Sequence, residues 1–416
     1  NRIRRIPITA PRGKILTRGG EVLAGNKEVR SKVIFDPESG YQKDRDITGV
    51  SEDEIITEYR RSYPLGSAVA HVTGYLGEVD EQEVGKVDPS CPEKGARTLG
   101  AFVGRSGLEE EYECKLAGVD GEELVEVNSR GEKIRTLGTK EPISGEDIKT
   151  TIHFDLQKKV AEIMEGNKGA VVLTDPSGEI LALYSSPSFD PNILVSGSKD
   201  GVESLLKDDS LPFFNRVIGG AFHPGSVFKP VVAIGGLEEG EIDEDYTYED
   251  KGQITIETPY GNFTYNNWYY TQYGGTEGEI DLTRAMARST DTFFYKLGEL
   301  MGAENIAKWA YKFNLDKKTG VDLPGEVAGL IPTPEWKKNV KGERWFLGDT
   351  YNISIGQGDL SLTPIALNTA TSAIAANGDI CSPRFVDDSK CTKLSVSSEN
   401  LDLIKEGMVE ACSNEG

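Results

Sequence analysis

The sequence predicts an α+β protein with two domains, a β-rich domain over residues 1–150 and a mixed domain over residues 151–416. Its 416 residues, 37% of them hydrophobic and 27% charged, have ordinary globular composition and exceed the usual length of one domain. Hairpin patterns and glycine turns are frequent in the first segment. The second segment opens with a helical pattern that ends at Gly166, followed by two apolar strands around the turn at 175–178. That order is typical of a helix combined with an antiparallel sheet.

The first segment carries strand and turn signals along its length. It opens with a basic stretch, residues 2–18, in which six side chains are basic and none is acidic. An alternating stretch at 122–127 and the turn residues at 129–131 predict a β-hairpin. An apolar strand at 148–152 leads out of this domain, which places the domain boundary near residue 151.

The second segment begins with a predicted helix. Asp155 is a favourable N-cap, and apolar side chains follow it at helical spacing. This apolar stripe consists of Leu156, Val160, Ile163 and Met164. Residues 170–174 and 179–184 are the strands of the predicted hairpin, and residues 363–374 form a helix that Thr363 caps.

The charge of the chain excludes a nucleic-acid role. Its 68 acidic and 46 basic residues give a formal net charge of -22, which repels nucleic acid and anionic membrane faces. No apolar run reaches 18 residues, so we expect neither a membrane span nor a signal peptide within these residues.

The cysteines argue against a metal centre. They are Cys91, Cys114, Cys381, Cys391 and Cys412. Because none forms a C-x-x-C pair and the chain has only three histidines, we expect no zinc site and no cofactor. Cys381 and Cys391 flank a short polar stretch and could be bridged in an oxidising compartment, although free thiols are the preferred interpretation.

The stretch FHPGSVFKP at 222–230 predicts a reactive serine. Pro and Gly break the chain ahead of Ser226, and the apolar run behind it places this serine in the first turn of a buried helix. Lys229, three residues later on the same face, can reach the serine hydroxyl. Burial and the positive end of the helix dipole would favour the neutral amine, which can take the serine proton. Because Ser-x-x-Lys recurs by chance, an ordinary helix start with a solvated lysine is the alternative.

This stretch, with Asn215-Arg216 ahead of it, resembles the active-site segment of the penicillin-binding proteins. Other segments are similar to the class B, elongation-type branch of that family: PRGKILTRGGEVLA at 11–24, RSYPLG at 61–66, AHVTGYLG at 70–77 and GRSGLEEEY at 104–112. The resemblance covers nearly the whole chain. It implies a non-catalytic pedestal and dimerisation domain over 1–150, and a transpeptidase domain over 151–416 in which helices flank a central antiparallel sheet.

Ser289 and Asp291 correspond to the second motif of the family, which is more commonly Ser-x-Asn. The resemblance implies that Ser289 relays a proton between Lys229 and the leaving amine. An ionised Asp291 only accepts hydrogen bonds, so it could pair with Lys229, stabilise the ammonium form and oppose a general-base role. Without the family, Ser289 and Asp291 would be interpreted as a helix cap.

The third motif of the family, Lys-Thr-Gly on a strand beside the serine, is expected to be missing. The KTG stretch at 318–320 lies in a polar segment ended by Pro324 and is unfit for a central strand, so we reject Lys318 as catalytic. The opening segment resembles the part of the family that follows a membrane anchor. We therefore expect a chain truncated at both ends, without its anchor helix and with impaired catalysis.

Two further features receive no catalytic role. His71 stands in an apolar context, where a histidine is more often structural. Residues 244–279 are rich in Tyr, Asn, Gly and Thr and contain Trp268. That composition suits a sugar-binding surface or a hairpin decorated with tyrosines, and no site is assigned there.

The resemblance implies peptidoglycan D,D-transpeptidation, in which Ser226 attacks the penultimate D-Ala carbonyl of one stem peptide and an amine of a second stem peptide takes the acyl group. It also implies inhibition by β-lactams, a membrane glycosyltransferase partner and a location on the extracytoplasmic (periplasmic) face of the cell membrane. Three alternatives remain: a serine β-lactamase, in which the leading domain has no place, a β-lactam sensor, and a non-catalytic cell-wall scaffold.

Overall fold

A computed structural model describes residues 3–36, 40–44, 48, 55–128, 133–259, 261–386 and 388–413. The chain divides into two compact units. Unit 1 comprises Asn1–Gly169, Leu181–Phe214 and Asp322–Pro324, and unit 2 comprises Ala170–Ile180, Asn215–Val321 and Gly325–Gly416. The turn predicted at 129–131 lies outside the described residues.

Unit 1 is rich in β-structure, as its hairpin signals predict. Its strands are β1 (Ile3–Ile8), β2 (Ile15–Leu16), β3 (Val22–Asp36), β4 (Gly40–Asp44), β5 (Ile55–Ser62), β6 (Leu76–Glu78), β7 (Phe102–Gly104), β8 (Gly121–Val127), β9 (Lys133–Lys140) and β10 (Ile148–Lys149). One sheet has the order β1-β8-β9, and another has the order β10-β2-β3-β4 with β5 also paired to β3. The antiparallel pair β8-β9 confirms the hairpin predicted from residues 122–127.

The helices of unit 1 are short. They are α1 (Ala70–Thr73), α2 (Gly107–Glu111), α3 (Glu113–Leu116), α4 (Phe154–Ile163), α5 (Pro191–Ser196) and α6 (Lys199–Leu206). His71 in α1 is buried, with its ring Nε2 3.0 Å from the carbonyl oxygen of Pro212. Its ring also makes an edge contact with Phe189, which fits the structural interpretation of this histidine.

A buried ionic cluster joins the opening segment of the chain to β5 and α2. The carboxylate of Glu109 accepts hydrogen bonds from Arg12 Nε and Arg61 Nε, each at 2.6 Å. Burial by itself raises the pKa of the Glu109 carboxyl, but the two guanidinium groups outweigh that effect and lower the pKa below its usual value. Three of the segments that carry the family resemblance therefore meet at one ion cluster.

Helix α4 corrects one predicted cap. The helix begins at Phe154, ahead of the predicted cap Asp155, because the carbonyl of His153 accepts from Gln157 N–H at 3.0 Å, while the N–H of His153 donates to Leu181 O at 2.8 Å. The predicted apolar stripe is only partly buried, since Ile163 is 63% exposed. The fully buried Gln157 takes its place and exchanges hydrogen bonds with the backbone of Leu183 at 2.8 and 2.9 Å.

Unit 2 is a mixed domain, and its α+β composition confirms the predicted fold class. The strands β11 (Gly169–Thr174) and β12 (Ile180–Ser186) flank a turn in which Asp175 N–H donates to Glu179 O at 3.0 Å, and the residues of β12 after Ile180 belong to unit 1. The strands that follow are β13 (Tyr248–Asp250), β14 (Gln253–Thr258), β15 (Gly261–Asn266), β16 (Gly278–Ile280), β17 (Asp379–Cys381) and β18 (Cys391–Lys393). They form three antiparallel pairs, β13-β16, β14-β15 and β17-β18.

Helices supply most of the core of unit 2. They are α7 (Lys229–Glu238), α8 (Trp268–Tyr273), α9 (Leu282–Ala287), α10 (Asp291–Lys312), α11 (Pro334–Lys341), α12 (Leu347–Ser354), α13 (Pro364–Ala375) and α14 (Ser398–Glu410). Thr363 caps α13 as predicted, with its hydroxyl accepting from Ala366 N–H at 3.2 Å. Within the described part of the chain, no helix combines the length and the apolar character that crossing a membrane requires.

The buried helix predicted behind Ser226 is α7. Its residues 231–234 are at most 2% exposed and belong to the main hydrophobic core of the unit. Glycine lets this helix approach α10 closely, because a Cβ at Gly236 would lie 2.6 Å from Leu297 Cδ1. Close packing of α7 on α10 fixes the helix that carries Lys229.

Two disulfides correct the preference for free thiols. Cys91 is bonded to Cys114 in unit 1, and Cys381 is bonded to Cys391 in unit 2. Cys381 and Cys391 are directly opposed in the register of β17 and β18, so strand pairing brings their side chains together. Cys412 is free and exposed.

Candidate active site

Ser226 lies on the turn that leads into α7. Residues Gly225–Phe228 form one 3-10 turn, and α7 begins at Lys229. Ser226 is exposed, and its hydroxyl makes no hydrogen bond with any residue that the structure describes. The hydroxyl is therefore accessible to an incoming substrate.

Backbone hydrogen bonds hold this turn against residues 356–362. Gly225 N–H donates to Gly356 O at 2.8 Å, and Phe222 and Leu362 exchange backbone hydrogen bonds at 2.9 and 2.8 Å. Gly356 has a φ of 76°, and a Cβ there would lie 2.0 Å from Gly225 O. Only glycine allows this approach, which fixes the chain immediately ahead of the serine.

Lys229 Nζ is the centre of a hydrogen-bond cluster. It donates to the backbone O of Ser289 at 2.8 Å, to Ser289 Oγ at 3.0 Å and to Asp291 Oδ1 at 2.6 Å. The structure thus brings together Lys229, Ser289 and Asp291, as the resemblance implies. The contact predicted between Lys229 and the Ser226 hydroxyl is not among the hydrogen bonds of these described residues.

Burial and the carboxylate of Asp291 have opposite effects on the pKa of Lys229. Burial lowers the pKa of the Lys229 ammonium below its usual range, and the charge and hydrogen bond of Asp291 offset only part of that effect. The ring of Phe294 lies 5.2 Å from Nζ. The ion pair that opposes a general-base role is therefore present, but burial outweighs it.

Ser289 joins α9 to α10 in a left-handed backbone conformation, with a φ of 52°. Such a conformation costs a non-glycine residue roughly 1–3 kcal/mol and persists where the surroundings impose it. It allows the carbonyl and the hydroxyl of one residue to face the same ammonium. The helix-cap interpretation does not apply, because the N-cap of α10 is Thr290, whose side chain makes no capping bond.

Residues of the tyrosine-rich stretch at 244–279 contact the second motif, a contact that the sequence analysis does not predict. Trp268 donates its backbone N–H to Asp291 Oδ2 at 3.1 Å and its indole N–H to Arg288 O at 2.9 Å. Asn267 Oδ1 accepts from Asp291 N–H at 3.1 Å. Contacts between residues 23 or 24 positions apart depend on the tertiary fold, so no local pattern could have revealed them.

The KTG stretch at 318–320 is not part of a strand. Thr319 donates its N–H and its hydroxyl to Glu326 Oε1 at 2.6 and 2.7 Å, and Gly320 N–H donates to Glu326 Oε2 at 3.0 Å. These hydrogen bonds close a loop around a buried carboxylate. None of them involves the candidate site residues.

One group of potential metal ligands occurs among the described residues. Asp88, Cys91 and Cys114 place their ligand atoms within 4.8 Å of one another. The two sulfur atoms are joined in a disulfide, so neither is available as a thiolate.

Family models match most of the chain. The penicillin-binding protein transpeptidase domain matches residues 169–416, and the penicillin-binding protein dimerisation domain matches residues 40–150. The gap between the two matches leaves the boundary near residue 151 a prediction.

Individual proteins and solved structures are also similar to this chain. The peptidoglycan D,D-transpeptidase MrdA of Acinetobacter baumannii is 37% identical over 334 residues, which are 80% of this chain and 48% of that protein. The chain spans about half the length of the first curated relatives that it matches. The structure of PBP2 from Helicobacter pylori in complex with MreC is 25% identical with a TM-score of 0.84, covering 100% of this chain and 85% of that chain. A chain from a peptidoglycan synthase complex that coordinates polymerization and crosslinking is 26% identical with a TM-score of 0.79, covering 99% and 78%.

Proposed function

Because this chain belongs to the class B penicillin-binding proteins, of the elongation type that MrdA represents, we propose that it is a peptidoglycan D,D-transpeptidase acting through an acyl-enzyme on Ser226. The observation that carries the proposal is the environment of Lys229. Its Nζ is buried against Ser289 Oγ, while Ser226 is exposed one turn earlier on the same segment.

In the proposed reaction, neutral Lys229 takes the proton of Ser226 as the serine oxygen attacks the penultimate D-Ala carbonyl of a stem peptide. The three acceptors around Nζ match the three N–H groups of an ammonium. A neutral amine keeps two N–H groups, which the Ser289 carbonyl and Asp291 can accept, so its lone pair is free to take the Ser226 proton. The ammonium that results donates to Ser289 Oγ, which takes that proton as it gives its own hydrogen to the leaving D-Ala amine.

The backbone N–H of Ser226 is the proposed oxyanion donor within this chain. The acyl group on Ser226 then passes to an amine of a second stem peptide, which forms the cross-link and restores the serine. Penicillin would acylate the same hydroxyl, so β-lactams are the proposed inhibitors.

The proposed location is the extracytoplasmic face of the cell membrane. Two disulfides support an oxidising compartment. A membrane glycosyltransferase is the proposed partner, which the similarity to a complex coordinating polymerization with crosslinking supports. MreC is a second candidate partner, because the similar PBP2 of Helicobacter pylori forms a complex with it.

Labelling with fluorescent penicillin tests the proposed function. The full-length wild type should form a stable adduct, and Ser226→Ala should remain unlabelled. An adduct that is rapidly hydrolysed would indicate a β-lactamase, and a stable adduct without D-Ala release from stem peptides would indicate a sensor. An unlabelled wild type would favour the scaffold and contradict the enzyme.

A further inference from the structure

We propose that Asn267 is a positioning residue for acylation, which holds the first residue of α10 so that the Asp291 carboxylate meets Lys229 through one oxygen only. Asn267 lies in the hairpin arm, defined as residues 248–280 from β13 to β16. This inference deepens the proposed function and rests on it.

Asn267 is completely buried, and both polar groups of its side chain are engaged. Its Oδ1 accepts from Asp291 N–H at 3.1 Å, and its Nδ2 donates to Asp250 Oδ2 at 3.2 Å. Its own backbone N–H donates to Gly252 O at 2.8 Å, which fixes Asn267 within the hairpin arm. One amide thus connects the hairpin arm to the second motif.

Asp250 anchors the other side of the connection. This carboxylate is 2% exposed and accepts from Thr292 Oγ1 at 2.6 Å, from Gly252 N–H at 2.9 Å and from Glu277 N–H at 2.8 Å. Thr292 directly follows Asp291, so the hairpin arm holds two consecutive residues at the start of α10. A buried network with all members bonded restricts its members strongly.

Trp268 completes the restraint on the carboxylate. Its backbone N–H occupies Asp291 Oδ2 at 3.1 Å, which leaves Oδ1 for Lys229 at 2.6 Å. The carboxylate cannot rotate to offer both oxygens to the ammonium without losing that bond. Asp291 therefore orients Lys229 without fully compensating its burial.

Among the described residues, the turn between α9 and α10 supplies no acceptor for the N–H of Asp291. The N-cap Thr290 makes no side-chain capping bond, and within the described residues its buried hydroxyl has no partner. Ser289 in the left-handed conformation is held by the end of α9, where Thr290 N–H donates to Ala285 O at 2.9 Å, but that bond does not reach Asp291. The first N–H of the helix is satisfied by Asn267 instead.

The test compares Asn267→Asp with the matched control Asn400→Asp in penicillin acylation. Asn400 Nδ2 also donates to a carboxylate, Glu238 Oε1 at 2.7 Å, in the same unit. Both variants replace an amide donor by a second carboxylate with nearly the same shape. Only Asn267→Asp should slow acylation at neutral pH, by about tenfold, the size expected for one hydrogen bond to a charged group.

The pH profile separates positioning from general loss of structure. Among the residues that the structure describes, the charged group paired with Lys229 is Asp291, with Asp250 behind Asn267 and the phenol of Tyr295 near Asp291. If Asn267 no longer holds Asp291, both oxygen atoms of the Asp291 carboxylate can approach the ammonium, so the acid limb of the acylation profile should shift to higher pH. The dissociation constant of the non-covalent penicillin complex should stay at the wild-type value.

Trp268→Phe is the second variant, because it removes the indole donor to Arg288 O but keeps an aromatic ring beside Arg288 and the backbone N–H that Asp291 accepts. Acylation should slow about threefold, as expected for a neutral hydrogen bond. Wild-type rates and an unshifted limb in the variants that fold, or equal slowing in Asn400→Asp, would overturn the positioning role. If the wild type itself does not react with penicillin, the proposed function fails and this inference fails with it.

Discussion

Two lysine–aspartate pairs in unit 2 contain the same residue types, but the pKa values of their lysines are shifted in opposite directions. Lys229 pairs with Asp291 at 2.6 Å, and Lys337 pairs with Asp349 at 2.8 Å. Both lysines are buried. Yet the pKa of Lys229 lies below its usual range and the pKa of Lys337 lies above it, so the residue types alone do not decide the outcome.

The difference arises from solvent exposure and from the number of carboxylate oxygen atoms around each nitrogen. Burial lowers the pKa of Lys337 too, but Asp349 accepts with both oxygens, at 2.9 and 2.8 Å, and Glu343 adds a second carboxylate at 3.5 Å. These partners reach solvent, since the Asp349 and Glu343 side chains are 25% and 60% exposed. Charge therefore outweighs desolvation at Lys337.

Lys229 has less compensation and a drier environment. It meets one oxygen of one carboxylate, whose side chain is only 13% exposed, because Trp268 holds the other oxygen. Desolvation outweighs charge there, and the amine is favoured. The number of carboxylate oxygen atoms that contact a buried lysine, and the solvent exposure of those carboxylates, thus decide whether the ammonium or the neutral amine is favoured.

The largest effect that this comparison predicts is on acylation by penicillin. Lys229→Ala removes the proposed base and should slow acylation of Ser226 by about 10²–10⁴-fold, the usual contribution of a general base. The fold should remain intact, as measured by circular dichroism and thermal unfolding. Lys337→Ala is the matched control, which should acylate at the wild-type rate; normal labelling of Lys229→Ala would overturn its role as the base.

Local sequence patterns were sufficient to predict those parts of the structure whose residues are neighbours in sequence. The break at Pro224-Gly225 and the apolar run behind Ser226 predicted the turn and the buried helix α7, because all the residues involved are neighbours in sequence. The Thr363 cap followed for the same reason. The α+β class followed from the order of such local patterns.

Tertiary partners decided the parts that sequence reasoning missed. The start of α4 and the burial of Gln157 depend on backbone groups of Leu181 and Leu183, more than twenty residues away. The contact of Asn267 with Asp291 depends on how a hairpin folds back on a helix. No local propensity or spacing predicts such contacts. The disulfide between Cys91 and Cys114 likewise depends on the tertiary fold.

Replacing the Asp291 carboxylate, which pairs with Lys229, should have a smaller effect on acylation and would test the comparison further. Asp291→Asn keeps an acceptor for Lys229 but removes the charge that raises the pKa of Lys229, so the pKa should fall further. The acid limb of the acylation profile should shift to lower pH, while the plateau rate should fall by no more than about tenfold. Stopped-flow acylation across pH measures both, and an unshifted limb would show that Asp291 does not set the proton affinity of Lys229.

The smallest expected effect concerns stability at alkaline pH. The raised pKa of Lys337 means that its contribution is fully present below the unfolded value of 10.5 and is lost as pH rises through the higher folded value. Replacing Lys337 by Met should therefore lower the free energy of unfolding at pH 7 by about 1 kcal/mol, the range for partly solvated pairs, and this loss should shrink at high pH.

Lys229 should show the opposite slope, because its folded pKa is lowered. Between that lowered value and 10.5 the unfolded chain binds more protons, so the contribution of Lys229 to stability increases as pH rises. Urea unfolding of wild type, Lys337→Met and Lys229→Met from pH 7 to 11 gives the two difference curves, in which the background titration of the tyrosines cancels. Opposite slopes would establish that two similar ion pairs hold their protons for different reasons, and parallel slopes would remove the basis for treating Lys229 as a prepared base.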